Sequence, residues 1–271
     1  GAARVCNRGE RQGRQRTVMR QAARIVGWGV SEVGSKLNKS PTHLVNQALG
    51  RALQHAGVET TSLDGFLACP SLAEPRFMPA HCLATACGVL PSREGASTLV
   101  MSVDTGGASP VSMLLLAKSL VDSGACTTVA VVAGDAVSSM PSKEFLEAAD
   151  SACLLPGPAK GTPEGTLKPV ALQSPCIPHG YAQAAAAHMA RHPLLRRDHL
   201  AMVPVLMSHQ GAKHPHAASR GTLLLENVLS SPLVAPNTSQ LECARRSDGA
   251  AVIIVSSLDH SLSKALGPRI T

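Results

Sequence analysis

The sequence predicts an α/β protein built on a five-stranded, mixed but mostly parallel sheet with helices on both faces. Three observations predict it. Apolar strand-like runs alternate with helical runs, the central strands are apolar on both sides, and a loop-rich excursion precedes the last strong strand. Parallel strands need long crossover connections and are buried on both faces. We therefore expect an α/β core with an inserted helical and loop domain.

The first part of the chain supplies most of the core elements. The segment 41–58 predicts an amphipathic helix, because its apolar residues recur at helical spacing; these are Leu44, Ala48, Leu49, Ala52, Leu53 and Ala56. The other predicted elements, in order, are a strand at 24–34, a short strand at 63–69, a short helix or turn at 81–89, a strand at 97–104, a helix at about 108–125 and a buried strand at 127–137.

The pattern changes after residue 137. Residues 138–178 are rich in Pro, Gly and Ser, and "LLPGPAKGTPEG" is typical of a loop. Helices are predicted at 181–192 and 196–212, and "DGAAVIIVSS" (248–257) predicts the final strand. The predicted organisation is a basic tail or presequence at 1–24, a core at 25–137, an inserted loop domain at 138–247, and a last strand and helix of the core at 248–271.

Most of the net charge of +7 comes from the N-terminal tail. Residues 1–24 contain seven Arg and a single acid, Glu10, while the rest of the chain is almost neutral. Three interpretations stay open: a solvated tail, a mitochondrial presequence, or a natural start at Met19. The tail lacks the aromatic residues that stack on nucleobases, and no apolar run approaches the roughly 20 residues that span a bilayer. We therefore expect neither nucleic-acid binding nor a membrane span.

The cysteines and histidines do not form a metal motif. None of the eight cysteines belongs to a Cys-x-x-Cys pair, and most lie in apolar runs, so we expect free thiols and no metal site. His188 and His192 are four residues apart on a predicted helix but lack the glutamate of a zinc protease, which favours surface histidines. His214 and His216 fall in a predicted loop, as metal ligands or without a role. The lone Trp28 and Tyr181 are interpreted as packing residues.

The stretch "SVDTGGASP" (102–110) predicts a strand, a tight turn and the start of a helix. Such a turn exposes its apex to helix N–H groups, yet the apex Gly106-Gly107-Ala108 has no reactive atom. Ser109 lacks the Gly-x-Ser-x-Gly frame of a hydrolase nucleophile, which favours an N-capping role. The turn is also neither a dinucleotide motif nor a P-loop. In "RRSDGAAVIIVSS", the Ser-Asp-Gly turn is assigned a structural role.

Four stretches in this order resemble the thiolase superfamily, and its sterol-carrier-protein-type, lipid-transfer branch most closely: "SVDTGGASP", "GYAQAAAAHM", "HPHAASRGTLLLENVLSSP" and "LECARRSDGAAVIIVSS". The resemblance covers about residues 24–271. It implies the first α/β half of a layered αβαβα fold, with an inserted loop domain that helps to bind coenzyme A. The motifs of the family's second half are absent from this sequence. The resemblance therefore leaves two interpretations, a partial chain or half a thiolase.

The resemblance also implies a role for the turn. Active thiolases place a nucleophilic cysteine there, with its pKa lowered by the helix start, and that position falls on Gly107. No catalytic residue is therefore predicted, and Ser109 is not a substitute. The expected ligand is an acyl-CoA, with no covalent cofactor; its candidate contacts are Gly106, Gly107, Ala108, Ser109, His179, Tyr181 and Met189.

Two functions follow as expectations. The first is an acyl-CoA-binding protein of the acyltransferase superfamily in lipid metabolism, without ordinary thiolase activity. The second is a non-catalytic scaffold that uses the thiolase shape to bind a partner. A full acyltransferase whose missing residues lie elsewhere is a third possibility. A homodimer or a partner chain is expected, in the mitochondrion or alternatively in a peroxisome-related organelle or the cytoplasm. Without the second half, we expect the apolar sheet face that includes Val252–Val255 to be exposed.

Overall fold

The computed structural model describes residues 22–153 and 173–257. The strands, in chain order, are β1 (Arg24–Val30), β2 (Gly65–Ala68), β3 (Leu99–Ser102), β4 (Thr128–Ala136), β5 (Leu233–Ala235), β6 (Thr238–Ser239) and β7 (Asp248–Ser256). The α-helices are α1 (Pro41–Ala56), α2 (Pro79–Ala86), α3 (Ser109–Asp122), α4 (Ser142–Cys153), α5 (Cys176–Arg191), α6 (Arg197–Lys213) and α7 (Leu225–Ser230).

The predicted five-stranded mixed sheet is confirmed, with the strand order β1-β7-β4-β2-β3. Strands β2, β3 and β4 pair in parallel, whereas β7 is antiparallel to both of its neighbours, β1 and β4. Four strands therefore run in one direction, and β7 alone is reversed. The separate β5–β6 hairpin lies in the segment between β4 and β7.

Helix α1 forms because the sequence supplies both ends and an apolar face. The Ser40 hydroxyl accepts the His43 N–H at 3.1 Å, Pro41 occupies the first turn, and Gly57 ends the helix in the left-handed conformation at φ 68°. All six predicted apolar residues of this helix are buried. This apolar stripe packs on the sheet and covers one of its faces.

The two faces of the sheet are covered by different helices. On one face, α1 and α2 pack on alternate strand residues such as Phe66, Ala130 and Ile254. On the other face, α3 packs on residues such as Leu67, Val131 and Val255. The alternation follows from the two-residue period of a strand. It confirms helices on both faces.

The expectation of an exposed sheet face around Val252–Val255 is wrong. Val252, Ile254 and Val255 are at most 1% exposed, and Ile253 packs against the cluster under α3. Strand β7 lies between β1 and β4, and its two faces are covered by α1 on one side and α3 on the other. The outer side of α3 does expose apolar residues, since Val111 is 63% and Leu115 is 53% exposed.

The segment between β4 and β7 carries its own small cluster, formed by α6 and α7 around Ala201, Val205 and Val228. An Arg197–Glu242 ion pair ties the start of α6 to the turn that follows β6. Helix α4 was not predicted, although "SKEFLEAADSAC" contains good helix formers. The predicted loop 154–165 and the tail 1–21 lie outside the described residues. The domain boundaries stay predictions.

Within the two described ranges, no helix has both the length and the apolar character needed to cross a membrane.

Candidate functional site

The turn 104–109 joins the parallel edge strand β3 to helix α3 and is held by its own polar groups. The Asp104 carboxylate accepts the Gly106 N–H at 3.0 Å, and Gly106 adopts φ +60°, which a side chain would strain. The Thr105 and Ser112 hydroxyls lie 2.9 Å apart across the first turn of α3. The apex Gly106–Ala108 is exposed. The turn is thus preformed and open to solvent.

Ser109 acts inside this turn and not as the predicted N-cap. Its hydroxyl accepts the Thr105 N–H at 2.9 Å and donates to the Gly106 carbonyl at 2.7 Å, while Ala108 occupies the N-cap position. The Ser109 residue is only 3% exposed. A hydroxyl that is buried and bonded on both sides cannot reach a ligand, so Ser109 is a structural residue of the turn.

Gly107 is the open position of the turn. A Cβ atom at Gly107 would meet no heavy atom within 4 Å, and its backbone is not in the left-handed region that marks Gly106. A side chain at position 107 would therefore fit, and would lie immediately before the N-terminus of α3. A helix N-terminus favours a negative charge or a developing negative charge.

Cys69 is a thiol beside this turn that sequence analysis did not single out. It follows β2 directly, is half-buried, and packs with Val103 in the cluster under α3. Burial, the Asp135 carboxylate and the Asp104 carboxylate raise the pKa of the Cys69 thiol. The three residues stand at or just beyond the carboxyl ends of β2, β4 and β3, which meet at one edge of the sheet. Their positions at the ends of three predicted strands were the sequence signal that could have brought these residues together.

Two cavities meet at Cys69. One has a volume of about 680 Å³ and lies between the start of α1, the 71–79 loop and α2. The other, of about 480 Å³, lies over the ends of β4 and β1. The Asp135 carboxylate fixes the loop between them by accepting the Ser71 hydroxyl and the Leu72 N–H, both at 2.8 Å. Because the thiol is held in its protonated form, it is not an activated nucleophile.

The ligand contacts predicted on α5 do not lie at the turn 104–109. His179 lines a cavity of about 250 Å³ with Ala182, Gln183 and Pro236, and its Nδ1 lies 3.0 Å from the Pro175 carbonyl oxygen. None of Gly106–Ser109 lines this cavity. Met189 is half-buried farther along α5. The predicted contacts therefore fall into two separate groups, one at the turn before α3 and one on α5.

The packing roles predicted for the two lone aromatic residues are not what the structure shows. Tyr181 is 72% exposed and Trp28 is 54% exposed. Trp28 lies against the His55 ring, with the ring centroids 3.9 Å apart. Tyr181 thus presents its ring to solvent on α5, where it is accessible to a ligand or to another chain.

The histidine pairs are exposed, in agreement with the surface interpretation of His188 and His192. Their ring centroids lie 4.5 Å apart, and those of His214 and His216 lie 6.0 Å apart. In the part of the chain that the structure describes, no group of three or more His, Cys, Asp or Glu residues is arranged to hold a metal ion.

Asp248 carries the structural role predicted for the Ser-Asp-Gly turn. Its carboxylate is 1% exposed and accepts the Ser138 N–H at 2.8 Å and the Leu37 N–H at 3.1 Å. It therefore joins the loop after β1 to the loop after β4, at the sheet edge that carries the candidate site.

No protein-family model matches the chain. Among curated proteins, an acetyl-CoA acetyltransferase of Methanothermobacter thermautotrophicus is 26% identical over 246 residues, which cover 89% of this chain and 58% of that relative. The chain thus spans a little over half the length of this curated relative.

Solved structures of the thiolase fold match most of the chain. The Ltp2-ChsH2(DUF35) aldolase superposes with a TM-score of 0.67 at 21% identity, over 88% of this chain and 56% of that one. The Acat5 thiolase from Ascaris suum in complex with coenzyme A gives 0.63 at 13% identity, over 92% and 69%. Human mitochondrial 3-ketoacyl-CoA thiolase in complex with CoA gives 0.63 at 14% identity, over 88% and 65%. These likenesses show the fold.

Proposed function

We propose that the chain is a thiolase-superfamily protein that binds an acyl-CoA at the turn before α3 and does not form an acyl-enzyme there. The observation that carries the proposal is the open, side-chain-free position of Gly107 in an otherwise intact strand–turn–helix. The acetyl-CoA acetyltransferase relative and the two coenzyme A complexes among the neighbours support the ligand class.

The chemistry of the turn explains the proposed loss of thiolysis and condensation. A thiol at a helix N-terminus ionises readily, and the thiolate can accept an acyl group. Glycine has no side chain to acylate, and the Cys69 thiol nearby is kept protonated by burial and two carboxylates. The space left at Gly107 can instead hold the acyl group of the ligand.

The start of α3 has a limited set of donors for the thioester oxygen. The Ala108 N–H already donates to the Thr105 carbonyl at 3.3 Å and the Ser109 N–H to the Gly106 carbonyl at 3.0 Å, while Pro110 has no N–H. We therefore assign the attraction for the carbonyl oxygen to the positive end of the α3 dipole.

The alternative function is a scaffold that binds a partner chain. The exposed pair Val111 and Leu115, one turn apart on the outer side of α3, favours it. We propose that a second thiolase-like half, in another chain or in a homodimer partner, covers this side. On this proposal acyl-CoA binds the isolated chain weakly, because one wall of the ligand tunnel is missing. Roles in lipid transfer and a mitochondrial location remain proposals of the same kind.

The decisive experiment compares the natural chain with Gly107→Cys and a matched Ala108→Cys variant. Each is incubated with acetyl-CoA and analysed by intact mass and peptide mapping. We expect no acetyl group on the natural chain, one on residue 107 of Gly107→Cys, and much less on Ala108→Cys. An acetyl group on residues 102–126 of the natural chain would show that the chain has its own nucleophile.

Calorimetry with acetyl-CoA separates the two functions. Weak but saturable binding by the natural chain supports the acyl-CoA function. A lack of binding, together with a lack of acetylation in Gly107→Cys, favours the scaffold.

A further inference from the structure

The last turn of α4 and the first turn of α5 place two cysteines against each other. Cys153 is the final residue of α4 and is exposed, whereas Cys176 is the first residue of α5 and is 0% exposed. The two residues lie at the contact between these helices, although 22 residues (154–175) separate them in the sequence. Both are free thiols.

Asp150 holds this arrangement in place. It lies one turn before Cys153 on α4, is 8% exposed, and accepts the Cys176 backbone N–H at 2.9 Å. It is also bonded to the hydroxyl of Ser174 and to the Cys176 thiol. The start of α5 is therefore attached to the last turn of α4 by contacts that do not involve Cys153. Asp150 thereby holds Cys176 against the turn of α4 that ends in Cys153.

The remaining described cysteines lack this feature. The pKa values of Cys69, Cys87, Cys126 and Cys243 are raised mainly by burial, and no second thiol contributes to any of these four shifts. In Cys176, burial, Asp150 and the neighbouring Cys153 together raise the pKa to about 12. Cys176 is thus kept as a thiol, while Cys153 is the member of the pair that solvent reaches.

We propose that Cys153 and Cys176 form a reversible intramolecular disulfide when the protein meets a peroxide. The Cys153 thiolate attacks one peroxide oxygen, the O–O bond breaks, and hydroxide leaves, so that Cys153 becomes a sulfenic acid. The Cys176 sulfur then loses its proton and attacks the Cys153 sulfur. The S–S bond forms, the S–O bond breaks, and hydroxide takes up a proton. Two thiols are oxidised, and one peroxide is reduced to two waters.

The consequence of this bond is local. It would link the end of α4 to the start of α5 covalently, at a point where Asp150 already links them by hydrogen bonds. His179, which lines the α5 cavity, is three residues beyond Cys176. The disulfide would therefore set the position of this cavity wall according to the redox state. The proposal does not depend on acyl-CoA binding.

The test uses the full 271-residue chain, reduced and then treated with hydrogen peroxide. After alkylation of the remaining thiols and tryptic digestion without reductant, cleavage after Lys160 separates the two cysteine peptides unless they are crosslinked. We expect the crosslinked pair, reversed by dithiothreitol, in the monomer fraction. Cys153→Ser and Cys176→Ser should each abolish it. Cys82→Ser, which changes an exposed cysteine on α2, should leave it intact.

Thermal unfolding provides a second readout that requires no variant. Closing a loop of this length should raise the Tm of the oxidised natural chain by about 5–10 °C over the reduced chain. Three results would overturn the proposal: sulfinic acid on Cys153 with Cys176 still reduced, crosslinks mainly between molecules or to other cysteines, or a stoichiometric bound metal that shields both thiols. An unchanged or lower Tm in the crosslinked chain would also contradict it, since a bond between well-placed thiols should stabilise.

Discussion

The Asp248 carboxylate accepts the backbone N–H of Ser138 at 2.8 Å, although the two residues are 110 positions apart. The same carboxylate accepts the Leu37 N–H, so a single buried side chain organises two loops at the carboxyl edge of the sheet. A buried N–H left without a partner costs about 1–3 kcal/mol.

Asp248→Ala should therefore lower the free energy of unfolding by about 3 kcal/mol, since it leaves two N–H groups without an acceptor. Asp248→Asn keeps one oxygen and should lose less. Ser247→Ala is the control, because the Ser247 hydroxyl is exposed and should matter by less than about 0.5 kcal/mol. Urea denaturation measures all three. Equal stability of Asp248→Ala and Ser247→Ala would show that the carboxylate is not needed.

Gly29 allows β1 and α1 to touch through their backbones. A Cβ at Gly29 would lie 2.2 Å from the Ala48 carbonyl oxygen and 2.5 Å from the Ala52 nitrogen, which cannot move independently of the helix. We expect Gly29→Ala to destabilise the protein by about 2–3 kcal/mol in denaturant titrations.

Gly50→Ala, on the same helix, is the matched control for this experiment. A Cβ at Gly50 meets nothing within 4 Å, so the substitution should stabilise by about 0.5–1 kcal/mol through the better helix propensity of alanine. The two Gly→Ala substitutions should therefore change the free energy of unfolding in opposite directions, although both lie on or against α1. A stabilising Gly29→Ala would mean that β1 is farther from α1 than the structure places it.

Cys69 should react slowly with thiol reagents at neutral pH. Burial and the carboxylates of Asp135 and Asp104 raise its pKa above the ordinary 9.0, and the thiolate is the reactive form. The rate of its alkylation by iodoacetamide, followed by peptide mapping, should rise at a higher pH in the folded chain than in the urea-unfolded chain. A folded-state profile whose midpoint lies at or below that of the unfolded chain would contradict the assigned environment.

Asp150 should make the free energy of unfolding depend on pH in the acidic range. Hydrogen bonds from Ser174 and from the Cys176 N–H lower its pKa below the ordinary 3.8. A carboxylate with a lowered folded-state pKa stabilises fully above its unfolded pKa, and this contribution is lost as the pH falls through the folded-state pKa. The free energy of unfolding of Asp150→Asn should therefore vary less below pH 4 than that of the natural chain. Parallel pH curves for the two proteins would argue against the ionised form.

The tail prediction is tested independently of the fold. Seven arginines and a single acid in residues 1–24 match a mitochondrial presequence. A fusion of residues 1–30 to a fluorescent reporter should enter mitochondria, and replacing the arginines with glutamine should prevent it. A diffuse cytosolic signal from the unmodified fusion would favour the solvated tail or a start at Met19.

Elements with strong periodicity could be predicted from the sequence, and contacts that depend on three-dimensional packing could not. Helix α1 was predicted because its apolar stripe and its Ser40 and Gly57 ends are local signals. The covering of β7 was missed, because no local pattern in the sequence shows that this strand inserts between β1 and β4. At that position α1 and α3 pack on its two faces. Helix α4 was missed because it lies beside the Pro- and Gly-rich segment that dominated the interpretation of 138–178.

The candidate site shows the same division. The shape of the turn followed from its two glycines and the apolar run after it, and the structure confirms a strand, a turn and a helix there. The role of Ser109 was misassigned, since the helix starts one residue earlier than an N-cap at 109 requires. The proximity of Cys69 to Asp104 depends on the parallel register of β2 with β3, which pairs Ala68 with Ser102.

The position of β7 has a consequence for synthesis of the chain. This strand is the last of the described strands to be made, yet it lies between β1, the first, and β4. While residues 24–247 emerge from the ribosome, β1 has no strand to pair with in the sheet and one edge of β4 is unprotected. The nascent sheet is therefore exposed to edge-to-edge association until residue 256 has emerged, and this is the interval in which a chaperone would be of most use.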